Sequence, residues 1–160
     1  MPEAVKIEEP ITRHRSDGAR KRRVSFVVSE GMLDHLKESQ LRYSVPADSP
    51  TENFESIIKS VRSGEFQMLD VFEAGLKVGW TVYKICENED GLEFLSVASY
   101  GKSLDGNDLS RAIIPILEGM AKQLGCKSIR LHTLRPGLVK KLSENMGWFV
   151  SEFVMRKAIE

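Results

Sequence analysis

The sequence predicts one domain of the α/β (α+β) class, and three observations support this prediction. The chain has 160 residues, a length that suits a single hydrophobic core. Hydrophobic residues make up 41% of it, which is enough to fill such a core. Along the chain, the spacing of apolar residues alternates between the two-residue period of strands and the 3.6-residue period of helices. The predicted element order is β-α-α-β-β-β-α-β-α-β.

The first half is predicted to hold one strand and two helices before a strand meander. Residues 24–28 are rich in β-formers, and Ser29 then offers an N-cap for a first helix. A second helix begins near Thr51 and ends at Gly64. Three segments of strand-like alternation follow, separated by turn residues, which predicts an antiparallel meander. Their sequences are QMLDVFEA, KVGWTVYKICE and LEFLSVASY.

The second half returns to helical spacing. A central helix is predicted over residues 108–124, with apolar residues on one face and Gly125 as its stop. Residues 128–134 then read as a strand and residues 136–145 as a short helix. A terminal strand is predicted over residues 148–159.

The charge of the chain is balanced in sum but uneven in distribution. Lys and Arg number 23 and match 23 Asp and Glu, so no overall field favours nucleic acid, anionic membrane or an acidic substrate. Residues 1–23 lack apolar periodicity and are predicted to form an extended basic arm before a domain at 24–160. The basic residues of the arm are Arg13, Arg15, Arg20, Lys21, Arg22 and Arg23.

This arm is expected to contact protein partners in a larger assembly, since Glu3, Glu8 and Glu9 beside the basic block suit mixed-charge docking. A second interpretation is non-specific, salt-sensitive contact with nucleic acid. A third is a solvated tail.

Composition also excludes membrane, metal and disulfide classes. No apolar stretch reaches the roughly 18 residues of a membrane span, and no secretory signal is seen, so a cytoplasmic or virion location is expected. Cys86 and Cys126 show no CxxC spacing and are predicted to be buried free thiols. His14 and His35 have no partner at ligand spacing, so no metal site is expected.

The segment LVKKLSENMGWFVSEFVMRK, with its Gly-aromatic step, and the element order together resemble the GNAT N-acetyltransferase superfamily over residues 24–160. The resemblance implies a mixed, mainly antiparallel sheet flanked by helices. It also implies that a loop before the central helix, together with the N-terminus of that helix, binds the diphosphate of acetyl-CoA.

The residues at this loop depart from the family pattern. Asp105 stands where the family has a cation or amide donor, and Asp108 where it has glycine. Each carboxylate repels a diphosphate by about 1 kcal/mol in water at ~4 Å, and by more where solvent is partly excluded. A carboxylate of the protein itself is therefore expected to occupy the anion site, with no cofactor bound. In the alternative with acetyl-CoA, a divergent loop would use Leu109, Ser110 and Arg111.

The expected catalytic residues are also missing. Ser143 and Pro136 stand where the family has a tyrosine general acid and an asparagine, and neither can replace those groups. His132 and Glu93 are the alternative catalytic candidates, while Glu73 is a weaker one, because lone strand carboxylates are as often solvated.

The sequence therefore predicts a catalytically inactive GNAT-like domain that acts as a structural or interaction component. It resembles the degenerate members found among tailed-phage virion and head-assembly proteins. The alternative is an acetyl-CoA-dependent N-acetyltransferase with a divergent cofactor loop, in which Lys102 and Ser103 between Gly101 and Gly106 could take part.

Overall fold

A computed structural model describes residues 7–11, 22–28, 54–106, 108–133, 135–153, 155, 157 and 159. Its elements in chain order are β1 Ile7–Ile11, β2 Arg22–Val28, α1 Phe54–Arg62, β3 Gln67–Glu73, β4 Leu76–Asn88, β5 Gly91–Gly101, α2 Ser110–Gln123, β6 Ser128–Leu131 and α3 Pro136–Asn145. The helix predicted after Ser29 lies outside the described residues.

The six strands form one sheet in sequence order, β1 to β6. Neighbouring strands are antiparallel except β5 and β6, which are parallel. The predicted fold class is therefore confirmed: the sheet is mixed and mainly antiparallel, and helices flank it. The predicted meander is confirmed in β3, β4 and β5.

The helices cover both faces of this sheet. The apolar face of α2 packs on one side of the sheet, in a cluster that includes Val71, Phe94 and Leu117. On the other side, Ile57 of α1 packs with Trp80 of β4 and other buried side chains. Alternate residues of a strand point to opposite faces. Two separate cores therefore share the same strands.

Helix α2 begins at Ser110, two residues later than predicted, because Leu109 takes the N-cap position. Its end confirms the predicted stop. Gly125 has φ 77, and its amide and that of Cys126 bond to the carbonyls of Lys122 and Ala121 in a Schellman motif. The chain leaves α2 by a tight turn that leads directly into β6.

Helix α3 and the residues that follow it are attached to α2 by two side-chain hydrogen bonds. Lys141 Nζ donates to Ser110 Oγ at 3.0 Å, beside the start of α2. Trp148 Nε1 donates to Glu118 Oε1 at 2.7 Å, one residue after the turn at Gly147. These contacts place the cationic face of α3 against the N-terminus of α2.

Two predictions at the chain ends need correction. Within the predicted arm, Ile7–Ile11 forms a strand that pairs with β2, and Arg22 and Arg23 belong to β2 itself. An edge strand accepts Pro10, whose missing amide breaks no central ladder bond. The predicted arm residues 12–21 lie outside the described residues.

The predicted terminal strand is wrong over its described part, where residues 148–153 have no strand assignment. Phe149 and Phe153 are exposed instead of packed. Alternating apolar residues favour a strand only where a neighbouring strand edge takes up its hydrogen bonds. No helix in the described part of the chain is long and apolar enough to cross a membrane.

Candidate functional site

The candidate site is a wedge between two parallel strands. β5 pairs with β6 over Glu93 to Ser96, against Ser128 to Leu131. Beyond this point β5 continues to Gly101, bonded on its other side to β4, while the chain after Leu131 turns into α3. Two neighbouring parallel strands that separate at their carboxyl ends leave a cleft between them. Ligands of α/β folds bind at this end of the sheet.

Asp108 lies at this cleft, immediately before α2. Its Oδ1 accepts a hydrogen bond from the Ser110 backbone amide at 2.7 Å. Its Oδ2 accepts a hydrogen bond from Lys141 Nζ and lies 3.9 Å from the guanidinium of Arg135. The positive end of the helix and two cations thus surround one carboxylate of the same chain. Asp108 therefore satisfies a backbone amide in the first turn of α2.

The pKa of Asp108 reflects these contacts. Partial burial by itself raises this pKa, but hydrogen bonds from Lys141 and Ser110 outweigh it and lower the pKa from 3.8 to about 2. The group is therefore fully ionised at neutral pH.

A second carboxylate determines the path of the loop between β5 and α2. Glu73, at the end of β3, is buried and accepts from Ser103 Oγ at 2.7 and 2.9 Å. The Leu104 amide adds a longer bond at 3.3 Å. Glu73 is thus not on a solvated face, which corrects the sequence interpretation. Ser103 is buried with it and directs its hydroxyl to the protein, away from any loop ligand.

The two alternative catalytic residues, Glu93 and His132, are not brought together and are connected indirectly, through Arg130 and Glu152. Glu93 lies about 10 Å below the opening of the wedge, three strand residues before Ser96. It accepts from Ser128 Oγ at 2.8 Å and lies 3.0 Å from Arg130 Nε, which is not aligned to donate to it. It is thus held in a polar cluster away from the cleft.

His132 follows the last paired residue of β6, and its Nε2 lies 3.8 Å from Glu152 Oε1. Glu152 also accepts from Arg130 at 3.3 Å. The histidine therefore has an acidic neighbour that sequence spacing did not reveal. At this distance the contact is an ion pair only when the histidine is protonated.

The remaining predicted positions take structural roles. Ser143 Oγ donates to the Val139 carbonyl one turn earlier in α3. Pro136 is at the first turn of α3, where its missing amide is tolerated. Of the alternative cofactor residues, Leu109 is buried in the core and Arg111 is exposed. Among the described residues, no group of three or more His, Cys, Asp or Glu side chains could hold a metal ion.

Sequence reasoning found Asp108 and Ser110 but missed the cations that meet them. Lys141 is separated from Asp108 by 33 positions and Glu73 from Ser103 by 30. The spacing of residues within one helix or strand does not indicate contacts between residues that lie 30 or more positions apart.

The sequence matches no protein-family model and no curated protein. Solved structures share its architecture. One is a GNAT family acetyltransferase from Staphylococcus aureus, with 12% identity and a TM-score of 0.55 over 85% of this chain and 98% of that one. The chain has a GNAT fold.

Two further solved structures show the same likeness. An acetyltransferase from Trypanosoma brucei is 19% identical, with a TM-score of 0.54 over 85% of this chain and 99% of that one. A protein from Clostridium acetobutylicum, described as a predicted acetyltransferase and solved with acetyl-CoA, is 12% identical, with a TM-score of 0.56 over 84% and 96%. These likenesses establish the fold, and the chemistry has to be argued from the site.

Proposed function

We propose that this GNAT-fold domain does not use acetyl-CoA and acts as a structural or interaction component. The observation that supports this most directly is the position of the Asp108 carboxylate. It accepts the Ser110 amide at the start of α2 and pairs with Lys141. A diphosphate at this helix terminus would need the same amide and the same cation.

Competition at this position favours the internal carboxylate. Asp108 is covalently tethered beside its partners, so its binding costs no loss of translational freedom, whereas a free ligand must pay that loss. Any diphosphate that approached with Asp108 in place would meet a negative charge at contact distance. The site residues therefore do not fit the cofactor, and we derive no transfer step through it.

One polar side chain of the adjoining loop is already engaged within the protein. The Ser103 hydroxyl is engaged by buried Glu73. The general-acid position is Ser143, whose hydroxyl bonds to the backbone of its own helix. The hydroxyls of Ser103 and Ser143 are thus both engaged in internal contacts.

The test is thermal unfolding of the full chain with and without millimolar acetyl-CoA. A ligand at 100 times its dissociation constant would stabilise the fold by about 2.7 kcal/mol, which raises the Tm by roughly 5 to 10 °C at this size. We expect no shift. A rise of that size would refute the proposal.

A variant that is expected to gain acetyl-CoA binding provides a positive result for the same test. Asp105→Arg with Asp108→Gly removes both carboxylates and adds a cation, and we expect it to acquire a Tm shift with acetyl-CoA. The matched control, Glu89→Arg with Asp90→Gly, makes the same change of net charge in the exposed β4–β5 turn. Equal shifts in both variants would mean that non-specific charge, and not the α2 terminus, binds the cofactor.

The second candidate function is acetyl-CoA-dependent N-acetyl transfer. It is favoured by the retained cations, Lys141 and Arg135, beside the start of α2, and by the likeness to a structure solved with acetyl-CoA. His132 at the mouth of the wedge would be its candidate base. Acetylation of an amine substrate by the wild type, lost in His132→Gln, would establish this function in place of the first.

Partner contact is proposed for the basic segment 13–23. Deletion of residues 1–23 would remove β1 and part of β2, so we choose substitution instead. Replacing Arg13, Arg15, Arg20 and Lys21 with Gln should abolish co-purification of the protein partner. Nucleic-acid binding that falls steeply with salt, and is lost in the same variant, would identify the other partner class.

A further inference from the structure

The segment that follows α3 is attached to the domain at two points. At its start, Trp148 Nε1 donates to Glu118 Oε1 of α2 at 2.7 Å. Further on, Glu152 Oε1 lies 3.3 Å from Arg130 Nη1 and 3.8 Å from His132 Nε2. We call this segment, from Trp148 to Glu152, the strap. Every residue of the strap is among those that the structure describes.

The two attachment points lie on opposite faces of the sheet. Helix α2, which carries Glu118, packs on the face where Phe94 and Ile129 contact its apolar cluster. Neighbouring residues of a strand point to opposite faces, so Arg130 points to the other face. The strap therefore crosses from one face of the sheet to the other at β6, the last strand of the described sheet.

The strap is held at β6 by side chains alone. Among the described residues, no backbone hydrogen bond joins positions 149–152 to β6. The side chain of Glu152 is 50% exposed and that of His132 40%, and ion pairs so exposed hold a segment only weakly. Phe149, between the two attachment points, is exposed and adds little packing. A segment with few buried contacts and no such backbone bonds opens at a small cost in free energy.

We propose that the strap is a releasable cover at β6 and that the Glu152 carboxylate holds it closed. Arg130 suits this role because its guanidinium also lies 3.0 Å from Glu93, which keeps it in place. In the closed position, Glu152 lies beside His132 at the mouth of the wedge. When the strap opens, both cations lose this carboxylate and β6 loses its cover. An uncovered edge strand offers its backbone groups to other chains.

The inference goes beyond the proposed function and does not depend on whether the α2 terminus binds acetyl-CoA. Opening of the strap is measured without the cofactor. Failure of one proposal therefore leaves the result of the other unchanged.

The test is limited proteolysis of the full chain by chymotrypsin, which cleaves after aromatic residues. The bond after Phe149 lies between the two attachment points, and its cleavage rate follows the open population when opening is fast relative to cleavage. We expect Glu152→Ala to raise this rate by about threefold or more. The matched control, Glu144→Ala, removes the same side chain from an exposed position of α3 and should be cleaved at the wild-type rate.

The other attachment point is tested away from the cleaved sequence. Glu118→Ala removes the acceptor of the Trp148 indole and should also speed cleavage after Phe149 by about threefold or more. Glu118→Gln keeps a carbonyl oxygen that can accept the same bond, so it should be cleaved like the wild type.

Salt tests the ionic attachment by itself. High salt screens exposed ion pairs, so it should speed cleavage of the wild type after Phe149 and leave Glu152→Ala unchanged. Each rate is divided by that of a free peptide with the sequence of residues 145–153 of the same variant, at the same salt concentration. This ratio removes the effects of salt and of sequence on the protease itself.

Cleavage after Phe94, which is fully buried, reports global unfolding and should be the same in every variant. Equal cleavage after Phe149 in the wild type and in both Glu152→Ala and Glu118→Ala would overturn the proposal. So would a rise in Glu152→Ala that Glu144→Ala matches, or one that appears equally after Phe94.

Discussion

Replacing Asp108 with Asn removes the negative charge at the start of α2 with almost no change of side-chain shape. The Asn side chain has nearly the same shape, and its carbonyl oxygen can still accept from the Ser110 amide, which Asp108 binds at 2.7 Å. With its oxygen on that amide, Asn presents its NH2 group to Lys141 and Arg135, so the hydrogen bond from Lys141 and the ionic interactions with both cations are lost. The variant therefore measures how strongly the α2 terminus and its cations hold the internal carboxylate.

The magnitude follows from proton linkage. Folding lowers the pKa of Asp108 from 3.8 to about 2, and each pKa unit is worth about 1.36 kcal/mol. Full linkage corresponds to about 2.4 kcal/mol. The side chain is 38% exposed, so solvent screening reduces the expected loss to about 1 kcal/mol. For a chain of this size the loss lowers the Tm by roughly 2 to 4 °C.

The sign of the pH dependence is fixed by the direction of the pKa shift. Because the folded pKa lies below the unfolded one, the stability is fully present well above pH 3.8 and is lost as the pH falls towards about 2. Urea unfolding of the wild type and Asp108→Asn should differ by about 1 kcal/mol near neutral pH. By about pH 3 the difference should shrink to about half.

A matched control separates this effect from a general change of charge. Asp90→Asn makes the same substitution in the exposed β4–β5 turn and should change the free energy of unfolding by less than about 0.5 kcal/mol. The reasoning is wrong if Asp108→Asn is as stable as the wild type at neutral pH. It is also wrong if the loss has the same size at both pH values.

Two further predictions concern stability. Ser103→Ala removes the hydroxyl that donates to buried Glu73, so we expect the free energy of unfolding in urea to fall by about 1 to 3 kcal/mol. The control Ser143→Ala, on the exposed side of α3, should be nearly neutral. Equal effects of the two substitutions would contradict the burial argument. Gly119→Ala places a better helix former inside α2 where a methyl group meets no atom within 4 Å, and should raise the stability by about 0.5 to 1 kcal/mol. Gly147→Ala should instead destabilise, because Gly147 has φ 73, and a gain there would refute the conformational reasoning.

Much of the fold was predictable because the spacing of apolar residues within each segment indicates its type of secondary structure. The three strands of the meander, the central helix and the helix at Pro136–Asn145 each show the period of their own element. Gly125 predicted the end of α2 because its left-handed conformation suits glycine. β1 was missed because an edge strand that contains Pro10 and two acidic residues has the composition of a loop.

The candidate site was predictable only in part. Asp108 lies beside the start of a helix, so its role towards the Ser110 amide follows from capping rules that act over two residues. Lys141 and Arg135 approach Asp108 from another helix, and their approach depends on how α3 packs against α2. The same holds for Glu73 and Ser103, which meet only because β3 and the loop after β5 end side by side.

By itself, the sequence determined the types of element, their order and the presence of a carboxylate at the α2 terminus, because backbone periodicity and helix capping are local properties. The tertiary structure decided which cations pair with Asp108, that Glu73 is buried, and that Phe149 and Phe153 are exposed. These outcomes depend on the packing of elements that are distant along the chain, and packing selects among many arrangements that the same local patterns allow.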